Sequence, residues 1–389
     1  MAGPLSSLKV LDFSTLLPGP FASMVLADLG ADIVRVESPT RGDPVQFLPP
    51  STGNVSAAHT TINRSKRSIS VDLKKEDGKE VIKALVKDFD IVLEQFRPGV
   101  MDRLGVGYED LKKINPSLIY CSITGYGQTG PYKDRAGHDI NYLAMSGAAS
   151  YTGRKGQGPT PFSLQVADIA GGSFHAVMGI LAAVIHRQQT GVGQYIDISM
   201  TDAAFSMHAL TAPGFLAEGS AYEPDYENTL LNGGHYYDYY PTKDGRYLSV
   251  GSLEPQFFSQ FIAAANLGNI IGTGTMDEQK EKIRDVFLTK TLAEWNEIFN
   301  KLDACVEPVL KLSEAVNHPH MKERELLTEV PDGKGGSLKQ IASAFKFSVS
   351  KPEYKFTGVT AGTHTDELLK SAGFSSEKIE NLRKDRTIA

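Results

Sequence analysis

The sequence predicts an α/β fold: a large domain on a doubly wound parallel sheet, then a smaller α+β domain. Three observations carry that reading. Short apolar runs alternate with helix-period segments from Leu8 to about Ile123, and the polar, glycine-containing stretch Gly219–Gly234 then breaks the pattern. The 389 residues also exceed what one simple core accommodates.

Taken in order, Leu8–Phe13 (L-K-V-L-D-F) reads as a buried strand and Pro18-Gly-Pro20 as the turn after it. Phe21–Leu29 is a helix closed by Gly30, and Ala31–Glu37 a second strand. Strand, helix and strand in so short a span form a βαβ unit with a right-handed crossover. The P-G-P turn is not G-x-G-x-x-G, so there is no dinucleotide fingerprint. The alternation continues with a strand at Ser68–Leu73, a helix over Lys75–Asp88 and a strand at Asp90–Glu94. A short helix at Tyr108–Ile114 and a strand at Leu118–Ile123 follow. Ligands of such sheets sit beyond the carboxyl ends of the strands, here the loops Leu16–Gly19, Ser38–Asp43, Gln95–Gly99 and Thr124–Gly130.

Apolar residues at Ile169, Phe174, Val177, Met178, Ile180, Leu181, Val184 and Ile185 recur near the helical period, which predicts a mostly buried helix over Asp168–Gln189 with Gly191 past its end. Asp168 at its start is either an N-cap or a carboxylate placed for chemistry beside free first-turn amides. The small residues Ala170-Gly171-Gly172-Ser173 favour the second reading, because they let a ligand approach the backbone at a cost in helix propensity.

A strand at Gln194–Ser199 and a helix from Asp202 close the large domain. The expected division is 1–200 for that domain, 201–227 for a linker, 228–320 for the small α+β domain and 321–389 for a return segment packing on the large one. In the small domain, strands His235–Tyr240 and Tyr247–Ser252 flank a Lys243-Asp-Gly245 turn, before helices at Pro255–Ala265, Asp277–Leu288 and Leu292–Leu302. A last helix is read at Ser375–Lys384.

A formal net charge of −6 argues against nucleic acid as a partner, and the local cluster Arg64-Ser-Lys-Arg67 reads by default as a solvated face. The two cysteines, Cys121 and Cys305, lack metal-ligand or CxxC spacing, which argues against structural zinc and fits a reducing cytoplasm. The N-terminus lacks a signal-peptide pattern, the C-terminal T-I-A is not a peroxisomal address, and no stretch is read as the ~18 apolar residues of a membrane span.

The motifs L-K-V-L-D-F, G-P-F-A at Gly19–Ala22, L-A-D-L-G-A-D-I-V-R-V-E at Leu26–Glu37 and G-T-H-T-D-E-L-L at Gly362–Leu369 resemble the family III CoA-transferase superfamily over essentially the whole chain. Gly137–Tyr142 (G-H-D-I-N-Y), Val250–Phe258 and Asp303–Leu310 resemble its α-methylacyl-CoA racemase branch, and transferases usually lack a histidine at the position of His138. The resemblance implies a Rossmann-like large domain and a small domain in an interlocked homodimer. It implies an acyl-CoA thioester as substrate, with coenzyme A part of that substrate and no separate cofactor or metal.

Carried over residue by residue, His138 and Asp168 match the acid/base pair, and Glu254 the carboxylate paired with the histidine. Coenzyme A contacts map to Val71, Asp72, Leu73 and Lys74, to Gln95, Phe96 and Arg97, to Arg103, and to Gly137, Asp139, Ile140, Asn141 and Tyr142. An arginine common in the family after the second strand is Ser38 here, and Arg41 is the candidate to take its place.

The chemistry wants these residue types. Inverting a carbon alpha to a thioester needs a base on one face and an acid on the other, and a histidine with a carboxylate fills both roles near neutral pH. The enolate between the two steps needs a hydrogen-bond donor at the thioester oxygen, a role the amides at Asp168 and the glycine turn suit. A transferase would instead use Asp168 as a nucleophile, and a catalytically silent thioester-binding protein would need none of the three polar residues.

Overall fold

The computed structural model describes residues 3–52, 55–227 and 231–389. The chain forms two compact units, Met1–Ser146 with Phe162–Met207 and Lys322–Ala389, and Gly147–Pro161 with His208–Met321.

The first unit is built on six parallel strands: β1 (Lys9–Asp12), β2 (Asp32–Glu37), β3 (Lys66–Ser70), β4 (Ile91–Glu94), β5 (Ile119–Thr124) and β6 (Tyr195–Ser199). Their order is β6-β5-β4-β1-β2-β3, so the doubly wound α/β expectation holds. Leu11 faces Val34 on one side and Val92 on the other, and all three are fully buried, as strands covered on both faces require. The strand order reverses between β1 and β4, which opens a crevice between the loops that follow them.

Helix α1 (Pro18–Asp28) fills the β1–β2 crossover, and its start corrects the sequence reading. P-G-P is the first turn of the helix and not a turn before it, because proline's fixed φ and missing N–H suit the first helical positions. Strand β3 also begins earlier than expected, at Lys66, and the basic cluster Arg64–Arg67 that leads into it is not a solvated face. Arg64 and Lys66 are buried. Arg64 clasps Asp28 through Nε at 2.8 Å and Nη2 at 2.5 Å, and Lys66 Nζ donates to Pro20 O at 2.7 Å and Asn63 Oδ1 at 3.0 Å. Burial lowers the Lys66 ammonium to about 7. Charge pattern alone does not reveal such pairing, since the acceptors lie on α1 and in the loop before β3.

Helix α2 (Glu76–Leu85) covers one face of the sheet, α3 (Asp139–Met145) follows the glycine-rich loop, and α4 spans Ala167–Thr190, with Gly191 ending it at φ 75°. At 24 residues and a mean hydropathy of 1.6, α4 is long and apolar enough to cross a membrane by length and composition, which the sequence reading did not register. Its buried residues include Ala176, Val177, Ile180, Ala183 and Val184, while Met178 and Ile185 are exposed. Helix α5 (Met200–Ser206) is capped by Ser199, whose Oγ accepts from Asp202 N–H. Residues Lys322–Ala389 return to this unit, where a hairpin (Leu327–Pro331 and Ser337–Ile341) and α10 (Ser376–Lys384) pack.

The second unit has an antiparallel sheet of β7 (Tyr237–Pro241), β8 (Tyr247–Gly251) and β9 (Val306–Pro308). Helices α7 (Pro255–Ala265), α8 (Met276–Phe287) and α9 (Leu292–Phe299) cover it, around a core of Phe261, Phe287 and Trp295. The segment expected as a linker carries α6 (Ala212–Glu218), and the expected boundary at Asn228 lies outside the described residues. Gly147–Pro161 belongs to this unit because Arg154 donates to Asp238 at 2.8 Å, while Lys280 joins Glu227 at 2.8 Å and Asp238 at 3.0 Å.

Candidate active site

The site grows from the carboxyl edge of the large sheet. At the switch point Asp12, the last residue of β1, accepts from Ser14 N–H at 2.9 Å and from the Ser14 and Ser23 hydroxyls. These bonds fold the chain into α1, and Gln95 Oε1, after β4, accepts from Gly19 N–H at 2.8 Å. Glu94, the buried end of β4, accepts from Phe96 N–H at 2.7 Å, and burial raises its carboxyl to about 7. Glu94 was missed in the sequence; an acidic residue closing an apolar strand beside a ligand loop is the signal that marks it.

The loop after β5 is shaped by Tyr142. Its ring occupies the space that a side chain at Gly125 or Gly137 would need, and its hydroxyl donates to Gly137 O at 2.5 Å. His138 is thereby held at the N-cap of α3, with its backbone N–H donating to Asn141 Oδ1 at 3.0 Å and its carbonyl accepting from Asn141 N–H at 2.8 Å.

Asp168 lies in a π-helical turn, Ala167–Phe174, that opens α4, a feature common at functional sites. Of the two readings of Asp168 this removes the N-cap, since Val166 holds that position. The Asp168 backbone N–H donates to Asp139 Oδ1 at 3.0 Å, and Ile169 N–H to Gln165 O at 2.9 Å. Those two amides are engaged, so they are not the expected oxyanion donors. The glycines of the turn also have another cause. A Cβ at Gly172 would lie 3.1 Å from both Met200 Cγ and Pro18 Cβ, and one at Gly171 3.2 Å from Met200 O. They are buried against α5 and α1.

The pair has the electrostatics of acid/base chemistry. Burial raises the Asp168 carboxyl to about 6, the Asp139 carboxylate pushes it the same way, and the nearby His138 pulls it down. The structure therefore brings His138, Asp139 and Asp168 together. The first-turn amides of α3, at Asp139 and Ile140, have no acceptor among the described residues, which leaves donors beside the pair.

The other predicted residues divide. Val71 is buried, bridged to Ile388, and Asp72 N–H donates to Thr387 O at 2.8 Å, so the Val71–Lys74 segment leaves β3 on a scaffold from the return segment. Asp72 Oδ1 accepts from Lys74 N–H at 3.0 Å, and Leu73 packs on the core. Gln95 and Phe96 are half-buried, while Arg41, Arg97 and Arg103 are exposed and form no ion pair among the described residues. Arg41 follows β2, Arg97 and Arg103 follow β4, and Ile140 and Asn141 on α3 are exposed, so these groups line the carboxyl edge. Glu254 belongs to the second unit, where it is exposed at the N-cap of α7. Among the described residues no group of three or more His, Cys, Asp or Glu is placed to hold a metal ion.

Fold and site together define a doubly wound α/β enzyme with a histidine and a carboxyl group side by side at the ligand edge of its sheet. The chain belongs to CoA-transferase family III, whose sequence profile matches residues 5–365. It is 39% identical over 393 residues to the alpha-methylacyl-CoA racemase of Homo sapiens, covering 99% of this chain and 97% of that one. It is also 31% identical over 378 residues to the succinyl-CoA:glutarate CoA-transferase of Homo sapiens, covering 94% and 85%. The crystal structure of a CAIB/BAIF family protein from Brucella suis superposes with a TM-score of 0.83 at 28% identity, over 96% of this chain and all of that one.

Proposed function

We propose that this enzyme inverts the α-carbon of 2-methylacyl-CoA thioesters by 1,1-proton transfer. The observation that carries the reading is His138 beside an Asp168 whose carboxyl burial raises to about 6, which places that carboxyl where it can act as acid or base near neutral pH. In one direction the Asp168 carboxylate takes the α-proton, the electron pair of that C–H bond moves to the thioester oxygen, and the enolate re-forms its carbonyl as imidazolium His138 delivers a proton to the opposite face. The reverse direction exchanges the roles.

The free first-turn amides of α3 suit the enolate oxygen better than the engaged amides of Asp168. Arg41, Arg97 and Arg103 suit the phosphates of coenzyme A, which is part of the substrate; no further cofactor or metal enters the proposed reaction. Glu254 would steady the imidazole from the small unit of a second copy in a homodimer. The exposed apolar Met178 (56%), Ile185 (57%) and Met145 (52%) offer such a copy surface to cover. A cytoplasmic location fits the two unpaired cysteines.

The 31% identity to a CoA-transferase favours a second reading, in which the Asp168 carboxylate attacks the thioester and carries coenzyme A through mixed anhydrides and an aspartyl-CoA thioester. One experiment separates them: a single enantiomer of a 2-methylacyl-CoA in D₂O, without any carboxylic acid acceptor. Deuterium uptake at the α-carbon with loss of chirality, abolished by His138→Ala, is the expected result. No uptake across several acyl chains, with coenzyme A moving once a free acid is added, overturns the racemase reading.

A further inference from the structure

We propose that Asp139 is the positioning residue that sets the spacing of His138 and Asp168, its carboxylate acting on the Asp168 backbone and not on coenzyme A. The role deepens the racemase reading and rests on it for its catalytic consequence.

Asp139 is the residue after His138 and the first of α3, and the α3 start is held by Tyr142 and Asn141 as described. Its Oδ1 accepts from Asp168 N–H at 3.0 Å, across 29 residues of sequence. The other side of Asp168 is held too. Ser173 Oγ, fully buried, lies 2.7 Å from Pro18 O and 3.1 Å from Asp168 O. Asp168 is thus gripped at its N–H by the helix that carries His138 and at its carbonyl by the serine that ties the turn to α1. The first turn of a helix leaves its N–H groups without intrahelical partners, so these bonds set where the carboxyl points.

The same carboxylate has an electrostatic effect. A like charge beside Asp168 disfavours its ionised form, which adds to the effect of burial. On α3 the groups facing Asp168 are His138, Asp139 and Tyr142. The other elements packed on the turn carry Asp28 on α1, paired with Arg64; Asp202 on α5, bound to Ser199; and Asp197 on β6, accepting from Gln128 N–H. On α4 itself His175 bonds Ala170 O.

Asp139→Asn keeps an oxygen to accept the Asp168 N–H and removes the charge; Asp139→Ala removes both. In the full-length protein with ¹³C-carboxyl aspartate, the Asp168 resonance, assigned with Asp168→Asn, should titrate at lower pH in Asp139→Asn, by about 1 unit. In the D₂O exchange assay the acid limb of Asp139→Asn should move the same way. Asp139→Ala should lose about 10²-fold in kcat with KM for the thioester unchanged.

An Asp168 backbone amide resonance that does not move in Asp139→Ala overturns the proposal whatever the activity, and so does an Asp139→Ala variant that raises KM while kcat holds, the signature of a coenzyme A contact. Absence of exchange in the wild-type protein refutes the racemase reading alone, because the Asp168 amide resonance still decides the role of Asp139.

Discussion

Gly19→Ala tests whether the switch point is built as described. Gly19 is buried in the first turn of α1, and a Cβ there would lie 2.2 Å from Ser14 Cβ and 2.8 Å from Gln95 Oε1. Ser14 cannot swing away freely, because Asp12 binds both its N–H and its hydroxyl. Forcing the turn and the Gln95 loop apart costs roughly 1–3 kcal/mol as overpacking. Loss of the Gly19 N–H bond to Gln95 adds roughly 0.5–1.5 kcal/mol. Replacing a helical glycine returns about 1 kcal/mol. The net is a destabilisation of about 2 kcal/mol. Urea unfolding followed by far-UV circular dichroism should show the lowered midpoint, and hydrogen exchange should show weaker protection of Lys9–Asp12 and Ile91–Glu94. The fluorescence of Trp295, which lies in the second unit, is not the probe for this change. An unchanged midpoint with unchanged protection of both strands would show that the crevice between β1 and β4 is not closed by this contact.

Two further outcomes follow from the same geometry. Arg64→Ala strands a buried Asp28 carboxylate that loses both guanidinium bonds and should cost about 3–5 kcal/mol; a urea midpoint shift worth less than 1 kcal/mol would contradict the buried pairing. Asp168, raised from 3.8 to about 6, must be ionised to act as base, so exchange of the enantiomer it deprotonates should fall about tenfold per pH unit below about 6. The raised pKa means the folded state holds more protons than the unfolded one between about 4 and 6, so this group's contribution to stability declines as pH rises through that window. A pH–rate profile flat from 5 to 7 refutes the assignment.

Much of this protein follows from local pattern. Short apolar runs such as Val10–Leu11 and Ile91–Leu93, set between turn signals, read as buried strands, and their alternation with helices points to a parallel sheet whose ligand edge is the loop set at the carboxyl ends. The candidate residues His138 and Asp168 were legible because a motif and a helix start mark them. What stayed hidden depends on partners far away in sequence. Arg64 and Lys66 look solvent-facing until Asp28, Pro20 and Asn63 close around them. Gly171 and Gly172 look like room for a ligand until Met200 and Pro18 fill it.

The sequence by itself determined the fold class and the chemical types at the site, since hydrophobic period and residue identity are local properties. Only the tertiary structure decided which amides stay free and that Asp139 grips Asp168. Hydrogen bonds and pKa shifts depend on distances between groups that the fold, and not the order of the chain, brings within a few ångströms.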